Sequence, residues 1–556
     1  MKNSPYRHLI VEIAPHEVRN RIWQILPGFL SWGTLIALSI LSFFLPYWIA
    51  IFIIAYDIYV LIRVVYMSIH LLYAYAMLHR HAGINWLARC QGASGDIKQY
   101  LLKVKTEAAT VTEGKQKWQL HKHIQHLEGI VAGERPVTDW QRVHHIVVLP
   151  TYNESYIVLK ASVEAVAKSD YPAERMHMVV GFEERAGDEA REKALRLTQE
   201  FSSHFKTFLT TFHPANLPGE KAVKSANATW AVQHLEEILK AQGIETDQIL
   251  ISNFDSDTVV EPEYFSYLTY VFITHPNKYR VSYQPLPVYN NNVWDAPAFS
   301  RVIATGSTFW QMIESTRPER LVTFSSHSMT LKALKEVGYW QKDIISEDSR
   351  IFWQCLLQYD GNYATEPLYT TVSMDAALAP GWWQTLKNQY TQKRRWAWGI
   401  ENFPYLAEGF LRNKKIPKRT KWSYLFRTLE GHLSWSTSAI IAAGLGWLPL
   451  LLGGPEFHST VLSYSLPRMT RTLMSIAMGG LIISATLSLL LLPPRPKEQS
   501  RLKYIFLILQ WMLVPVIATL LSAFPALDAE TRLMLGRDLN FNVMQKGRKQ
   551  GKAVVS

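Results

Sequence analysis

Residues 28–78 are almost continuously apolar and aromatic, and nothing else in the sequence restricts the fold so strongly. The run is broken by Pro46 and by a few polar residues, among them Asp57, Arg63 and His70. Its length allows two membrane-crossing helices of about 20 residues each. The expected structure is a helical hairpin, residues 29–45 and 47–67, with a tight turn near Pro46. Asp57 and Arg63 then share one helix and should face protein or the interface rather than lipid. Three further apolar segments follow much later, at residues 432–452, 473–492 and 504–524. The loop before the last carries Arg495, Lys497, Arg501 and Lys503, which argues for the cytoplasmic side. Five crossings would put the basic tail (Lys546, Arg548, Lys549, Lys552) outside if the N-terminus is inside. Either the last segment, interrupted by Pro515 and Pro525, re-enters without crossing, or the charge rule fails here.

Composition agrees with apolar blocks attached to an ordinary soluble part. Of 556 residues, 48% are hydrophobic and 19% charged, yet mean hydropathy is −0.03. The net charge of +12 resides largely beside the apolar segments, so anionic lipid headgroups rather than nucleic acid are the expected partner. Cys90 and Cys355 stand far apart and imply neither a disulfide framework nor a zinc site. The polar lead-in, with Arg7, Arg19 and Arg21, is expected in the cytoplasm, and no cleavable signal peptide is expected.

Between the apolar blocks, residues 80–140 read as a polar, Lys/His-rich connector. His121, His123 and His126 there suit a solvated helical face better than a metal site. Beyond it, short apolar runs alternate with helix-like stretches. Strands are expected at residues 145–149, 176–182 and 207–212, with helices at 156–167 and 186–203 and another ending near Ala241. The run from Ile249 ends in Asp255-Ser256-Asp257, two carboxylates at i and i+2 that leave the same face if the strand continues. Open α/β sheets bind ligands at that edge, and paired carboxylates there suit a hard divalent ion carrying a diphosphate. Glu347-Asp348 opens a helix-like run, where an acid either caps the helix or serves as a general base. Gln392-Lys393-Arg394-Arg395-Trp396 sets cations beside an aromatic in a stretch expected to lie on the bilayer surface.

Pro150-Thr151-Tyr152-Asn153-Glu154, Lys224 to Asn227, Asp255-Ser256-Asp257, Glu347-Asp348 and Gln392 to Trp396 occur in this order between apolar helices. In this the chain resembles the membrane-embedded family 2 glycosyltransferases, relatives of cellulose, chitin and hyaluronan synthases. The resemblance implies an α/β fold of GT-A type: a Rossmann-like, mostly parallel sheet with flanking transmembrane and interfacial helices. It implies inverting transfer from a nucleotide diphosphate sugar, first a UDP-sugar, with Mg²⁺ or Mn²⁺. By the same resemblance Tyr152, Glu154, Glu183 and Lys224 contact the nucleotide side of the donor, and Asp255 lies near ribose or metal. Asp257 is the main metal ligand, Asp348 the base beside Glu347, Gln392 and Arg395 hold the diphosphate, and Trp396 floors the acceptor site.

Two departures stand out: Glu183-Glu184-Arg185 replaces an Asp pair, and Ser325-Ser326-His327-Ser328 replaces a glycine-containing loop. His327 there is expected to pack within its loop. The segment Tyr283-Gln284-Pro285 with Asn290-Asn291-Asn292 and Trp294 suggests no chemistry by itself.

The implied division is 1–80 (N-terminal segment and hairpin), 81–142 (connector), 143–380 (cytoplasmic GT-A domain), 381–428 (interfacial helices), 429–526 (transmembrane helices) and 527–556 (basic tail). The expected protein is multi-pass in the plasma (inner) membrane. Its acceptor is a growing polysaccharide, with single addition to a lipid acceptor or an inactive scaffold as alternatives.

Overall fold

The computed structural model describes residues 18–112 and 114–539. Arg7, the Arg19 side chain and the basic tail (Lys546, Arg548, Lys549, Lys552) lie outside the described residues.

The soluble part is built on one eight-stranded sheet, ordered β3-β2-β1-β4-β7-β6-β8-β5. Its strands are β1 (His144–Pro150), β2 (Met176–Glu183), β3 (Thr207–His213), β4 (Ile249–Asn253), β5 (Val259–Val260), β6 (Val281–Val288), β7 (Ser328–Thr330) and β8 (Ala364–Ser373). β1 to β4 pair in parallel, as helical crossovers between them require. β7 inverts the direction beside β4, β6 restores it, and β8 runs parallel to β6. Six strands therefore share one direction. Strands β1, β2 and β4 are buried nearly end to end, which is why they read as continuous apolar runs rather than alternating ones.

Helices Tyr156–Ala167, Gly187–Phe201 and Lys224–Ala241 fall where the sequence places them. Residues 80–140 differ from their reading as a connector. They form helices Trp86–Ser94, Ile97–Thr110 and Gly114–Val131. Trp86, Cys90, Leu101, Leu127 and Ile130 pack into the same core as β1, β2 and helix Tyr264–Thr274. His123 is buried rather than solvated, within reach of the Tyr270 and Tyr100 hydroxyls at 3.1 and 3.2 Å. Aromatic polar residues fill part of this face, so the apolar period is weak in sequence.

Among the described residues, four helices are long and apolar enough to cross a membrane: Asn20–Phe44, Pro46–His81, Val461–Leu490 and Lys503–Leu535. A fifth crossing exists if the pair Lys418–Ala443 and Leu445–Leu452, bent by 50°, counts as one. The hairpin turns at Pro46 as expected, but its second helix has 36 residues, about 54 Å at 1.5 Å per residue. The surplus carries it onto the soluble part, where His70 meets Thr316 at 2.7 Å and His81 stacks near Tyr267 and Tyr369. Asp57 is buried and accepts from Thr470, and Arg63 pairs with Glu430, so both face protein. The last apolar run continues through Pro515 and Pro525 by way of a 3₁₀ turn (Gln510–Leu513) and a π turn (Thr519–Ala523). In the stretch expected to be interfacial, helix Asn402–Arg412 is instead buried, with Tyr405, Leu406 and Phe410 packed against Ile351, Cys355 and Leu356.

One close approach fixes the sheet edge where the site lies. A Cβ built on Gly181 in β2 would stand 2.4 Å from Asn227 Oδ1. The Asn227 amide donates to the carbonyls of Gly181 (2.7 Å) and Thr151 (3.2 Å), tying the ends of β1 and β2 together. Asn227 is therefore a strut rather than a ligand contact. Gly181→Ala should displace it and cost about 1–3 kcal/mol, seen as a lower thermal midpoint of the detergent-solubilised protein.

Candidate active site

The sheet brings three of the sequence motifs to one point. Lys224 opens helix Lys224–Ala241, an unfavourable end for a cation. Its ammonium donates to Asp255 Oδ1 at 2.6 Å and lies 3.5 Å from Asp348 Oδ1 and 3.9 Å from Glu347 Oε1. Asp255 leaves the loop after β4, while Glu347 and Asp348 occupy the first turn of helix Glu347–Gln358, where carboxylates are favoured. Burial works against the Lys224 charge, but Asp255, Asp348 and Glu347 together outweigh it and hold the ammonium well above its ordinary pKa. Burial, reinforced by Asp348, raises the Glu347 carboxyl well above the usual carboxylate range against the pull of Lys224. Asp348 is a quarter exposed. Its Oδ1 accepts no hydrogen bond among the described residues.

The second oxygen of Asp255 accepts from Ser325 Oγ at 2.6 Å. Asp257 is fully buried, and its Oδ2 accepts the Asp375 backbone N–H at 2.8 Å. The loop Ser325-Ser326-His327 supports this arrangement. Ser326 has φ +63°, the left-handed conformation that glycine favours, so the loop keeps a glycine-type turn without glycine. Ser326 Oγ bonds Thr258 Oγ1 at 2.8 Å. His327 is buried, 3.0 Å from the Phe324 carbonyl and 3.8 Å from Asp348 Oδ1. Burial outweighs the nearby Asp348 and lowers the His327 pKa, which favours the neutral ring.

Residues that suggested no chemistry in the sequence acquire a structural one. The Gln284 amide accepts from Phe324 N–H (2.7 Å) and donates to the Ser325 carbonyl (3.2 Å). Asn291 donates to the Asp257 carbonyl at 3.0 Å, and Asn292 bonds both backbone groups of Ala376. Together they clamp both aspartate-bearing loops. Asp375 and Tyr289 escaped the sequence reading. Asp375 lies two residues beyond β8, the same strand-end position that marks Asp255, which is the signal that would have found it. Tyr289 is buried over the aspartates; burial, then the Asp255 and Asp257 charges, push its phenol up.

The remaining expected residues are distributed around this centre. The Arg185 guanidinium bridges to Glu183 and lies over the Tyr152 ring at 4.3 Å, forming one cluster at the ends of β1 and β2. Glu154 turns inward: its Oε2 accepts from Thr151 Oγ1 (2.7 Å) and Tyr152 N–H (2.8 Å), making it a turn clamp. Gln392, Arg395 and Trp396 lie on helix Trp382–Ala397. Trp396 meets Tyr289 and Phe324 at centroid distances of 6.2 and 6.5 Å, which brings this helix to the aspartate loops. Among the described residues no group of three or more His, Cys, Asp or Glu is arranged to hold a metal ion by itself.

The site thus combines carboxylates at the strand ends of a parallel-dominated sheet with an acid-bearing helix start and an aromatic-basic helix. The family model for glycosyl transferase family group 2 matches residues 250–524, which include the two aspartates, the Glu347-Asp348 pair and the Gln392–Trp396 helix. Residues 250–524 thus carry a glycosyl transferase family group 2 domain, and the protein is a glycosyltransferase on an α/β fold. No curated protein matches the chain. Among solved structures, a mannosyltransferase from Pyrobaculum calidifontis (PcManGT, in complex with GDP-Man and Mn²⁺) is 13% identical. The alignment covers 73% of this chain and 98% of that one, with a TM-score of 0.40. S. aureus TarS 1-349 in complex with UDP-GlcNAc is 12% identical, over 74% of this chain and 99% of that one, with a TM-score of 0.34. Both likenesses are weak, and the assignment rests on the family match.

The raised pKa of Glu347 makes a stability prediction whose sign is fixed. An acid whose folded value exceeds its unfolded one favours folding below the ordinary carboxylate range. That contribution is lost as pH rises through the folded value. Glu347→Gln should therefore match wild type in thermal stability near pH 4 and exceed it by about 1–3 kcal/mol near pH 9.

Proposed function

We propose that the protein transfers a sugar from a nucleotide diphosphate sugar, first a UDP-sugar, to an acceptor hydroxyl with inversion at the anomeric carbon. The single observation that carries this reading is the convergence of Lys224, Asp255, Glu347 and Asp348 within 4 Å, beside the buried Asp257. In this reading Tyr152 and the Glu183–Arg185 pair receive the base and ribose, and Glu154 supports them from within the turn. Lys224 meets the diphosphate by exchanging one carboxylate partner for a phosphate oxygen, and Gln392 and Arg395 hold its other side. Asp348 accepts the proton of the acceptor hydroxyl; that oxygen bonds to the anomeric carbon as the bond to the diphosphate oxygen breaks. Closure by Tyr289 and Trp396 orients the two reactants.

The residues present suit a Mg²⁺ or Mn²⁺ ion that also takes ligands from the donor. Asp257 offers a carboxylate fixed by one backbone N–H, and such ions commonly need only one or two carboxylates plus substrate phosphates. Asp255, engaged by Lys224 and Ser325, is the weaker of the two ligands. When bound, the ion offsets charge on the leaving diphosphate.

In this reading the apolar helices lie in the plasma (inner) membrane, with the catalytic domain cytoplasmic, and the acceptor is a growing polysaccharide. Single addition to a lipid acceptor is a second reading, favoured by Lys393, whose ammonium lies between the Trp396 and Trp435 rings with no carboxylate at ion-pair distance among the described residues. The test is nucleoside diphosphate release by detergent-purified protein with UDP- and GDP-sugars and Mg²⁺ or Mn²⁺. Release with one donor, absent in Asp257→Ala, is expected, and product size separates polymer from single addition. Undetectable donor binding would instead favour an inactive scaffold. Asp348→Asn should retain donor binding and lose transfer by about a hundredfold or more; wild-type turnover would remove Asp348 as the base.

A further inference from the structure

Lys393 stands on helix Trp382–Ala397, three residues before Trp396. Its ammonium lies 4.6 Å from the Trp396 ring centroid, 5.8 Å from that of Trp435 and 3.4 Å from Ser307 Oγ. The three partners come from three different helices. No carboxylate among the described residues lies within ion-pair distance of it. The neighbouring Arg394 provides the contrast, with Asp528 at 2.8 Å. Burial alone pulls the Lys393 ammonium down to about 8. A half-buried cation flanked by aromatic rings and one hydroxyl, with no carboxylate beside it among the described residues, favours a ligand that brings negative charge.

The enclosure also says what kind of molecule carries that charge. Trp435 is fixed by its Nε1–H to Ser522 Oγ at 2.8 Å and lies on Lys418–Ala443, half of the bent apolar pair. Trp396 reaches the other way, to Tyr289 and Phe324 beside the aspartate loops. Lys393 thus stands between the reacting end and the apolar bundle. An anion with an apolar tail on one side and a sugar on the other has the matching order of parts.

We infer that Lys393 recognises the phosphate of a lipid-linked acceptor that enters between helices Ala298–Ser315, Trp382–Ala397 and Lys418–Ala443. This rests on the transferase reading and selects the lipid acceptor within it. Loss of one charged hydrogen bond to the phosphate corresponds to about tenfold or more in acceptor recognition.

The test uses the full-length protein with the active donor and three acceptor probes. They are a monosaccharide on a short prenyl diphosphate, the octyl glycoside of the same sugar, and a uronate oligosaccharide. Lys393→Met should lower the preference for the prenyl diphosphate probe over the octyl glycoside by about tenfold or more through acceptor KM, and Lys393→Arg should restore it. An equal loss on both probes, or no loss, overturns the assignment. A loss confined to the uronate overturns it in favour of an acidic glycan. Titration calorimetry with the prenyl diphosphate probe alone decides if no probe is a substrate. Absent probe binding with intact donor binding sinks the Lys393 role, whereas absent donor binding sinks the transferase reading itself.

Discussion

The ammonium of Lys224 among Asp255, Glu347 and Asp348 is the interaction on which the rest of the site depends. Its four members come from three separate elements: a helix start, a strand-end loop and a second helix start. One cation facing three acids leaves the cluster with surplus negative charge, which burial makes costly. Part of that cost appears in the raised Glu347. In the proposed reaction a divalent ion held by Asp257 and the donor would offset the diphosphate charge, and Lys224 would exchange a carboxylate for a phosphate oxygen.

Around the cluster, positioning is delegated to uncharged groups. Asn227 ties two strand ends, Gln284 holds the Phe324–Ser325 backbone, Asn291 holds the Asp257 carbonyl and Asn292 grips Ala376. Amides suit this work because each offers both donor and acceptor, satisfying backbone groups that irregular loops leave unpaired. The aspartate loops can therefore stay irregular and still be fixed. The long hairpin helix serves the same end at larger scale, since Pro46–His81 runs from the apolar bundle onto the aromatic face of the domain.

Much of this was legible beforehand. The parallel strands announced themselves as short apolar runs, and Asp255, Asp257 and Asp348 stood where strand ends and a helix start place them. The asparagine segment shows no role in the sequence, because an amide's partners here are backbone groups distant in sequence. The helices of residues 86–131 were hidden by composition: their buried face uses Trp86, His123 and Cys90 among lysines and glutamines, which blurs the 3.6-residue period. Helix Asn402–Arg412 looked interfacial because amphipathic periodicity does not tell a protein partner from a lipid one.

The sequence by itself determined the local structure: which runs become strands, where helices begin, and which segments are too apolar for water. These follow from periodicity and from the cost of exposing or burying each side chain. It determined the chemical vocabulary of the site as well, two carboxylate pairs, a lysine and an aromatic-basic helix. Only the tertiary structure decided which members meet. It made Glu154 and Asn227 struts, gave Lys224 to three acids, placed the unforeseen Asp375 against Asp257, and left Lys393 among aromatic rings with no carboxylate beside it among the described residues. Pairings such as Lys224–Asp348 and Asp257–Asp375, each over a hundred residues apart, are set by sheet order and helix packing, and local sequence does not encode them.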